Sequence, residues 1–535
     1  MTDATINSNQ ATALGGGGPA GASVVDWGKL FLGFGGMVIG QFMAILDIQI
    51  VAASLSQIQA GVGATADEMS WVQTAYILAE VVIMPMTAYM TRLWGTRNTF
   101  VACCGAFVIT SIMTGLSSSI EVMIFFRALQ GLAAGAMIPA VFATAFTAFP
   151  PEKRITANVI IGLIVTLAPT VGPTLGGHLS DLAGWRWLFF VNVPPGILSM
   201  ILVWRWGDFD KGDPSLAKGV DWWGLGTLTV ALLSIQYVLE EGTKDGWFQD
   251  DYILWLTVAG VISACAFVWR ELTYGKPLLN LAPFADRNFS LGTVMVLVSG
   301  VSLFGGTFVL PLFLAQIRHF SAAEVGTTML VSGLSMFMTG PIAGRLVRTM
   351  DPRIPMFFGF AIGAYGIGLG SRVTENWGFW QFAWLQGIRG VGTMIAMIAS
   401  QQLTVSTVPQ RLMKDASALV NVTRNIGGAF GLAAISTILA VQSAVHYNDL
   451  TSAISIANPQ AQAMMAGFTE MMGTSINPQG AAYKAFSGFL HQKALTMAFG
   501  DAFFWLAAGC AFAAVLGLFA KPAKGPPPAG GGGGH

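Results

Sequence analysis

The chain has 535 residues, of which 54% are hydrophobic and only 10% charged, with mean hydropathy +0.63. Soluble domains carry about a quarter charged residues, so a soluble globular protein is excluded. The formal net charge of zero removes the basic surface that binding nucleic acid would require.

Residues 1–28 are polar and glycine-rich, without the basic start and cleavable apolar core of a signal peptide, and read as a disordered tail. Fourteen apolar stretches follow, at approximately 29–56, 70–91, 97–117, 121–147, 155–179, 186–206, 222–240, 252–271, 290–316, 325–347, 354–371, 378–405, 414–441 and 495–520. Runs of about 20 apolar residues cross a bilayer as helices, because in lipid only a helix or a closed barrel satisfies its own backbone. With the N-terminus inside, 18 of the 27 Lys and Arg side chains fall in cytoplasmic segments, 6 in outer ones and 3 within helices. The positive-inside rule therefore places both termini in the cytoplasm. Cys103, Cys104, Cys265 and Cys510 lie inside apolar runs with neither disulfide nor metal spacing, and read as packing residues.

Two halves are visible in a repeat. Pro85-x6-Arg92-x4-Arg97 follows the second stretch, and Pro341-x6-Arg348-x4-Arg353 follows the tenth, at a constant offset of 256 positions. Leu129-Gln130-Gly131 is echoed by Leu385-Gln386-Gly387. The organisation expected is a tail (1–28), a six-helix bundle (29–206), a linker with two extra membrane helices (207–289), a second bundle (290–520) and a flexible tail (521–535). The second bundle includes a long outer segment, 442–494, with Met464-Met465 and Met471-Met472 in an Ala-rich setting. It reads as a surface loop, with short amphipathic helices or a surface for docking a partner as alternatives.

Charges buried in the first half carry the chemistry. Asp47, Glu80 and Arg127 come from three different stretches, and each lies about 10–15 Å from the outer end of its helix at the α-helical rise. An intramembrane carboxylate is costly, and by default marks an ion pathway, a proton relay or a substrate contact. Burial disfavours the charged form and a nearby arginine favours it, so such a site takes up or releases a proton as the balance shifts. A static structural ion pair is the competing reading. In the fifth stretch, Pro169, Gly172, Pro173, Gly176 and Gly177 combine kinking prolines with glycines that admit a close neighbour. They predict a bent, tightly packed seam between the bundles. Gln130, Arg389 and Arg424 are intramembrane candidates for gating or substrate contact. The Arg92/Arg97 and Arg348/Arg353 loops read either as anchoring charges or as a conformational latch. The sequence carries no P-loop and no hydrolase signature, so neither ATP nor covalent catalysis is expected, and no cofactor beyond a proton gradient.

Arg127-x2-Gln130-Gly131-x3-Gly135 and Gly172-Pro173-x2-Gly176-Gly177 resemble motifs of major facilitator antiporters. Leu46-Asp47-Ile48-Gln49-Ile50-Val51 and the block Trp185-Arg186-Trp187-Leu188-Phe189-Phe190-Val191-Asn192-Val193-Pro194-Pro195-Gly196 are similar to signatures of the fourteen-helix drug:proton antiporters, the EmrB/QacA type. Asn458-Pro459-Gln460-Ala461-Gln462-Ala463-Met464 and the glycine-rich tail resemble the EmrB branch. The resemblance implies an all-α membrane protein with the major facilitator fold, exporting hydrophobic compounds across a bacterial inner membrane in exchange for protons. It also implies a periplasmic adaptor of the EmrA type and an outer-membrane channel as partners. It assigns the proton role to Asp47, coupling to Arg127 and the helix kink to Gly172 and Pro173. Glu80 lies outside the matching motifs, and Thr91 stands where the first loop usually has an acidic residue. The alternatives within transport are an exporter dedicated to one metabolite and a proton-coupled importer.

Overall fold

The computed structural model describes residues 27–217, 221–275, 277–320, 322–452, 459–471 and 477–522. Residues 1–26 and 523–535 of the two tails, Lys218, Lys276, Asn458, Met472 and the side chain of Pro173 lie outside the described residues. Among the described residues every regular element is helical, as an apolar chain without strand-like alternation requires.

The first bundle comprises α1 (Trp27–Ala53), α2 (Leu55–Val62), α3 (Ala66–Ile83), α4 (Met86–Trp94), α5 (Thr96–Leu116), α6 (Ile120–Thr147), α7 (Pro151–Ala183), α8 (Trp187–Phe190) and α9 (Val193–Trp206). An inserted hairpin follows, α10 (Trp222–Glu241) and α11 (Asp251–Thr273). The second bundle comprises α12 (Arg287–Gln316), α13 (Ala322–Thr349), α14 (Arg353–Gly368), α15 (Phe379–Val405), α16 (Met413–Ser452), α17 (Pro459–Met471) and α18 (Pro478–Gly517). Among the described residues twelve helices are long and apolar enough to cross a membrane, and two bent pairs bring the total to fourteen. The architecture is two six-helix bundles joined through α10 and α11.

The bends have local causes. α3 opens on a capping box, with the Thr65 hydroxyl accepting from the Glu68 N–H at 3.3 Å and the Glu68 carboxylate accepting from the Thr65 N–H at 2.8 Å. It ends where Pro85 removes a backbone donor, and the path turns by 59° into α4. The repeat breaks its symmetry here, for Pro341 sits inside the continuous helix α13. α7 turns by 51° between Lys153–Pro169 and Thr174–Ala183.

Burial sorts the helices by position. In the central stretch of α6, 89% of residues are buried, against 17% in α11. α6 is therefore the heart of the first bundle, and the inserted hairpin lies on the outside, with Trp223, Trp255, Trp269 and Leu272 exposed toward lipid. α10 packs on α3 and α16, one helix from each bundle. The bundles meet directly where α7 packs on α13 and α16 on α6 and α4.

Two expectations change. The outer stretch 442–494 is largely helical where described: α16 runs on to Ser452, α17 lies against α18, and α18 starts at Pro478. Pro459 and Pro478 stand at the first positions of α17 and α18, where a missing backbone donor costs nothing, and alanines favour helix between them. At about 60 Å each, by the helical rise, α16 and α18 far exceed the hydrocarbon thickness. Gly172 and Gly176 of α7, expected at a seam between the bundles, face α1 instead: a Cβ at Gly172 would strike Gln49, and one at Gly176 would lie 2.8 Å from the Ile50 carbonyl oxygen. That seam is internal to the first bundle.

α3 and α6 pack closely against each other. A Cβ at Gly131 would fall inside the Tyr76 carbonyl, and one at Gly135 inside the Glu80 carbonyl. Backbone cannot retreat as a side chain can. Gly135→Val is expected to destabilise the purified protein by about 1–3 kcal/mol, the usual cost of overpacking, read as a lower midpoint of thermal unfolding. Gly177→Ala, with nothing within 4 Å of its Cβ, should melt as wild type does.

Candidate functional site: a buried ion pair and an interbundle latch

The apolar interior of the first bundle closes over a polar cluster drawn from several of its helices. Asp47 of α1 and Arg127 of α6 are both fully buried, and Arg127 Nη1 donates to Asp47 Oδ2 at 2.5 Å. Asp47 Oδ1 accepts from Asn192 Nδ2 at 2.6 Å and from Gln130 Nε2 at 3.2 Å. Each partner is itself held. Gln130 Oε1 accepts from Arg127 Nη1 at 2.9 Å, Arg127 Nε donates to the Val72 carbonyl at 3.1 Å, and Asn192 Nδ2 also reaches Ser111 Oγ at 3.1 Å. Ser111 in turn donates to the Phe189 carbonyl at 2.9 Å. The guanidinium lies over the Tyr76 ring, 4.3 Å from its centroid, and its Nη2 has no hydrogen-bond partner among the described residues. The aromatic face partly takes the place of that missing partner.

Both Asp47 oxygens are thus occupied by donors. A proton on Asp47 would leave Arg127 buried without its counter-charge. Removing one charge from a buried pair costs about 3–5 kcal/mol, so the two side chains are held as a unit.

The sequence grouped Glu80 with this pair; in the structure its recorded hydrogen-bond contact is with the other bundle. Glu80 is 4% exposed and faces the second bundle, where Asn425 Nδ2 of α16 lies 3.5 Å from its Oε1. Depth along a helix fixed its layer but not its direction. Gln130 belongs to the Asp47 cluster. Arg389 donates to Gln386 and Ser332, each at 2.8 Å. Arg424 reaches Asn421 and Gln401 at 3.2 and 3.3 Å and stacks over Phe142 of α6. Neither of these arginines pairs with a carboxylate among the described residues. Pro169, Gly172, Gly176 and Gly177 lie along α7 outside the cluster. Asn192 carried no role in the sequence reading, although an amide just before Pro194-Pro195 in an apolar stretch was a usable signal.

A second set of charges ties the bundles together at the end marked by the arginine repeat. Arg92 Nη1 contacts both carboxylate oxygens of Asp415, at the start of α16, at 2.7 Å. Arg92 Nη2 donates to the Leu278 carbonyl at 3.2 Å. Lys414 pairs with Asp210, whose other oxygen accepts from the Thr96 N–H at 2.7 Å. The second copy of the repeat reaches back: Arg348 donates to the Thr156 hydroxyl of α7. The acid missing at Thr91 is supplied by the opposite bundle. Each copy of the repeat grips the first turns of a helix in the other half.

The comparisons with known proteins follow the same lines. Residues 37–432 match the Major Facilitator Superfamily. The chain is 34% identical over 495 residues to the colistin resistance protein EmrB of Acinetobacter baumannii, covering 92% of this chain and 96% of that one. The chain is an EmrB-type member of the major facilitator superfamily. The multidrug export protein EmrB of Escherichia coli is 30% identical over 493 residues, 91% of this chain and 94% of that one. Among solved structures, the proton:xylose symporter XylE aligns with TM-score 0.58 at 11% identity, covering 93% of this chain and 97% of its own. The human organic anion transporter MFSD10 aligns with TM-score 0.55 at 11% identity, covering 90% and 99%. The last two share the fold with this EmrB-type transporter, a multi-pass membrane protein.

If the arginine latch holds that end shut, spin labels at Asn98→Cys and Arg411→Cys on opposite bundles will report it. Arg92→Asp is expected to lengthen and broaden their distance distribution, and adding Asp415→Arg should restore it. An unchanged distribution in Arg92→Asp would mean that the pair does not hold the bundles together.

Proposed function

We propose that this EmrB-type transporter exports hydrophobic, chemically varied small molecules in exchange for protons, by alternating access between its two bundles. The observation that carries the reading is the buried cluster of Asp47, Arg127, Gln130 and Asn192, a carboxylate kept in the membrane interior at high cost with every contact a donor. The relatives named for multidrug export and colistin resistance support the substrate class. The energy source is the proton gradient, with no cofactor and no covalent chemistry.

In the proposed cycle a proton arriving from the outer side neutralises Asp47 and frees Arg127. The cost of the unpaired guanidinium is relieved only when α1 and α6 shift relative to α3, which in turn packs on the inserted hairpin. Glu80 lies where that shift would be felt, against Asn425 of the other bundle. It acts as a second protonation site at the moving interface. Arg389 and Arg424 provide hydrogen-bond donors toward substrate or gate.

The excess of Lys and Arg at the latched end supports an orientation with that end and both termini in the cytoplasm of the bacterial inner membrane. The latch then holds the cytoplasmic side closed. On the opposite side, the extensions of α16 and α18 with α17 form a helical projection beyond the membrane. It is the surface proposed to meet a periplasmic adaptor of the EmrA type, and through it an outer-membrane channel.

The test is exchange in everted vesicles holding an imposed pH gradient. Several unrelated hydrophobic compounds should dissipate the gradient with wild-type protein, and Asp47→Asn should slow this by at least about tenfold, as expected for loss of a coupling charge. Glu80→Gln is expected to slow it less. Unimpaired exchange in Asp47→Asn would refute the coupling role, and a response to only one chemical family would favour a dedicated exporter.

A further inference from the structure

The inserted hairpin reaches the latch through the segment that follows it. Glu271, near the end of α11, is 6% exposed. Its carboxylate accepts from two successive backbone N–H groups beyond the helix, Leu278 to Oε1 and Leu279 to Oε2, each at 3.2 Å. A carboxylate that takes two backbone donors fixes the turn carrying them, because charge-assisted bonds are about twice as strong as neutral ones. The Leu278 carbonyl is thereby presented to Arg92, whose Nη2 donates to it at 3.2 Å while Nη1 holds Asp415 of α16. Two residues further on, the Asn280 backbone bonds to Asp415 itself. Three parts of the chain therefore converge on one short stretch of linker: the hairpin through Glu271, the first bundle through Arg92 and the second through Asp415.

The end of the hairpin that carries Glu271 is itself braced. Asp221 caps α10 by accepting from the Gly224 N–H at 3.0 Å, and pairs across the hairpin with Arg270 of α11 at 2.9 Å. The Arg270 guanidinium lies over the Tyr274 ring, 3.9 Å from its centroid. Apolar packing follows the same convergence. Leu278 and Leu279 share one buried cluster with Phe267 of the hairpin, Ala88 of the first bundle and Met413 of the second. For the bundles to part at this end, Arg92 must leave either Asp415 or the Leu278 carbonyl, and a buried acceptor left without its donor is expensive.

We propose that Glu271 is a positioning residue of the interbundle latch, and that through it the inserted hairpin sets how firmly that end stays shut. The proposal rests on the reading of the latched end as a gate in alternating access, and it gives the two extra helices a part in that gate. Glu271 touches neither Arg92 nor Asp415 in the contacts above; it acts by holding the linker against both.

The test uses the spin labels at Asn98→Cys and Arg411→Cys on the full-length protein in lipid nanodiscs, with the exposed Cys265 replaced by serine. Glu271→Gln removes the charge and turns one acceptor into a donor. It is expected to lengthen and broaden the distance distribution in the same direction as Arg92→Asp. Combined with Arg92→Asp it should add nothing, since both act through one contact. Hydrogen exchange over residues 277–281 should quicken by at least about tenfold in Glu271→Gln, the scale of one lost bond to a charged group, and in Arg92→Asp as well. Glu241→Gln, at the other end of the hairpin, should leave distances and exchange as in the wild type. Should Glu271→Gln not fold, exchange in Arg92→Asp still decides: unchanged rates over 277–281 would detach the linker from the latch and overturn the proposal. Widening in Arg92→Asp without widening in Glu271→Gln would overturn the hairpin's part and leave the gate standing, and additive widening in the double variant would overturn it too. No widening in either would reject the gate itself, and the proposal with it.

Discussion

A guanidinium and a carboxylate sealed from water inside a membrane bundle leave little freedom to the helices around them. Arg127 must keep Asp47, and Asp47 must keep its donors, or the protein bears the cost of an unpaired buried charge. The positions of α1 and α6, the turn between α8 and α9 that presents Asn192, and the Tyr76 ring follow from that demand. So does the need for small residues nearby. Gly131 and Gly135 bring α3 against α6 closely enough for Tyr76 to cover the guanidinium and for the Val72 carbonyl to reach it. Removing water strengthens the pair, and it makes any change in the pair's charge a mechanical event.

The two ends of the first bundle then work on different principles. Within the membrane the bonds are few, buried and mutually dependent. At the latched end they are partly solvated and crossed between bundles: Asp415 is almost fully buried while Arg92 retains 29% of its side-chain exposure. Contacts of this kind are specific enough to hold a closed state and weak enough to be released. The repeat explains their arrangement, since Arg92 and Arg348 occupy equivalent positions and each bonds to the helix start of the opposite half. The symmetry is incomplete, with an ion pair on one side and a neutral hydroxyl on the other.

Much of this was legible in the sequence, for identifiable reasons. Hydropathy and the count of Lys and Arg respond to lipid directly, so the helices and the two halves could be read before any coordinates. Asp47 and Arg127 stood out because charge in an apolar helix is rare. Direction around a helix was not legible, and Glu80 shows why: it shares a layer with Asp47 but lies on a face of α3 turned to α16, which only packing decides. The latch acid was missed because Asp415 is 323 residues from Arg92 and belongs to a segment that reads as an ordinary helix start. The outer segment read as a loop because its composition is polar, whereas its alanines favour the helices that carry α16 and α18 outward.

The central claim is that Asp47 takes up a proton and releases Arg127 when the transporter turns over. Infrared difference spectroscopy on the purified protein, comparing substrate-bound with substrate-free states, observes this directly. The account predicts a substrate-dependent change in the carbonyl stretch of a protonated carboxyl group that disappears in Asp47→Asn and survives in Glu80→Gln. A band that persists in Asp47→Asn, or no carboxyl change in the wild type, would contradict it and leave the buried pair as a fixed structural bond.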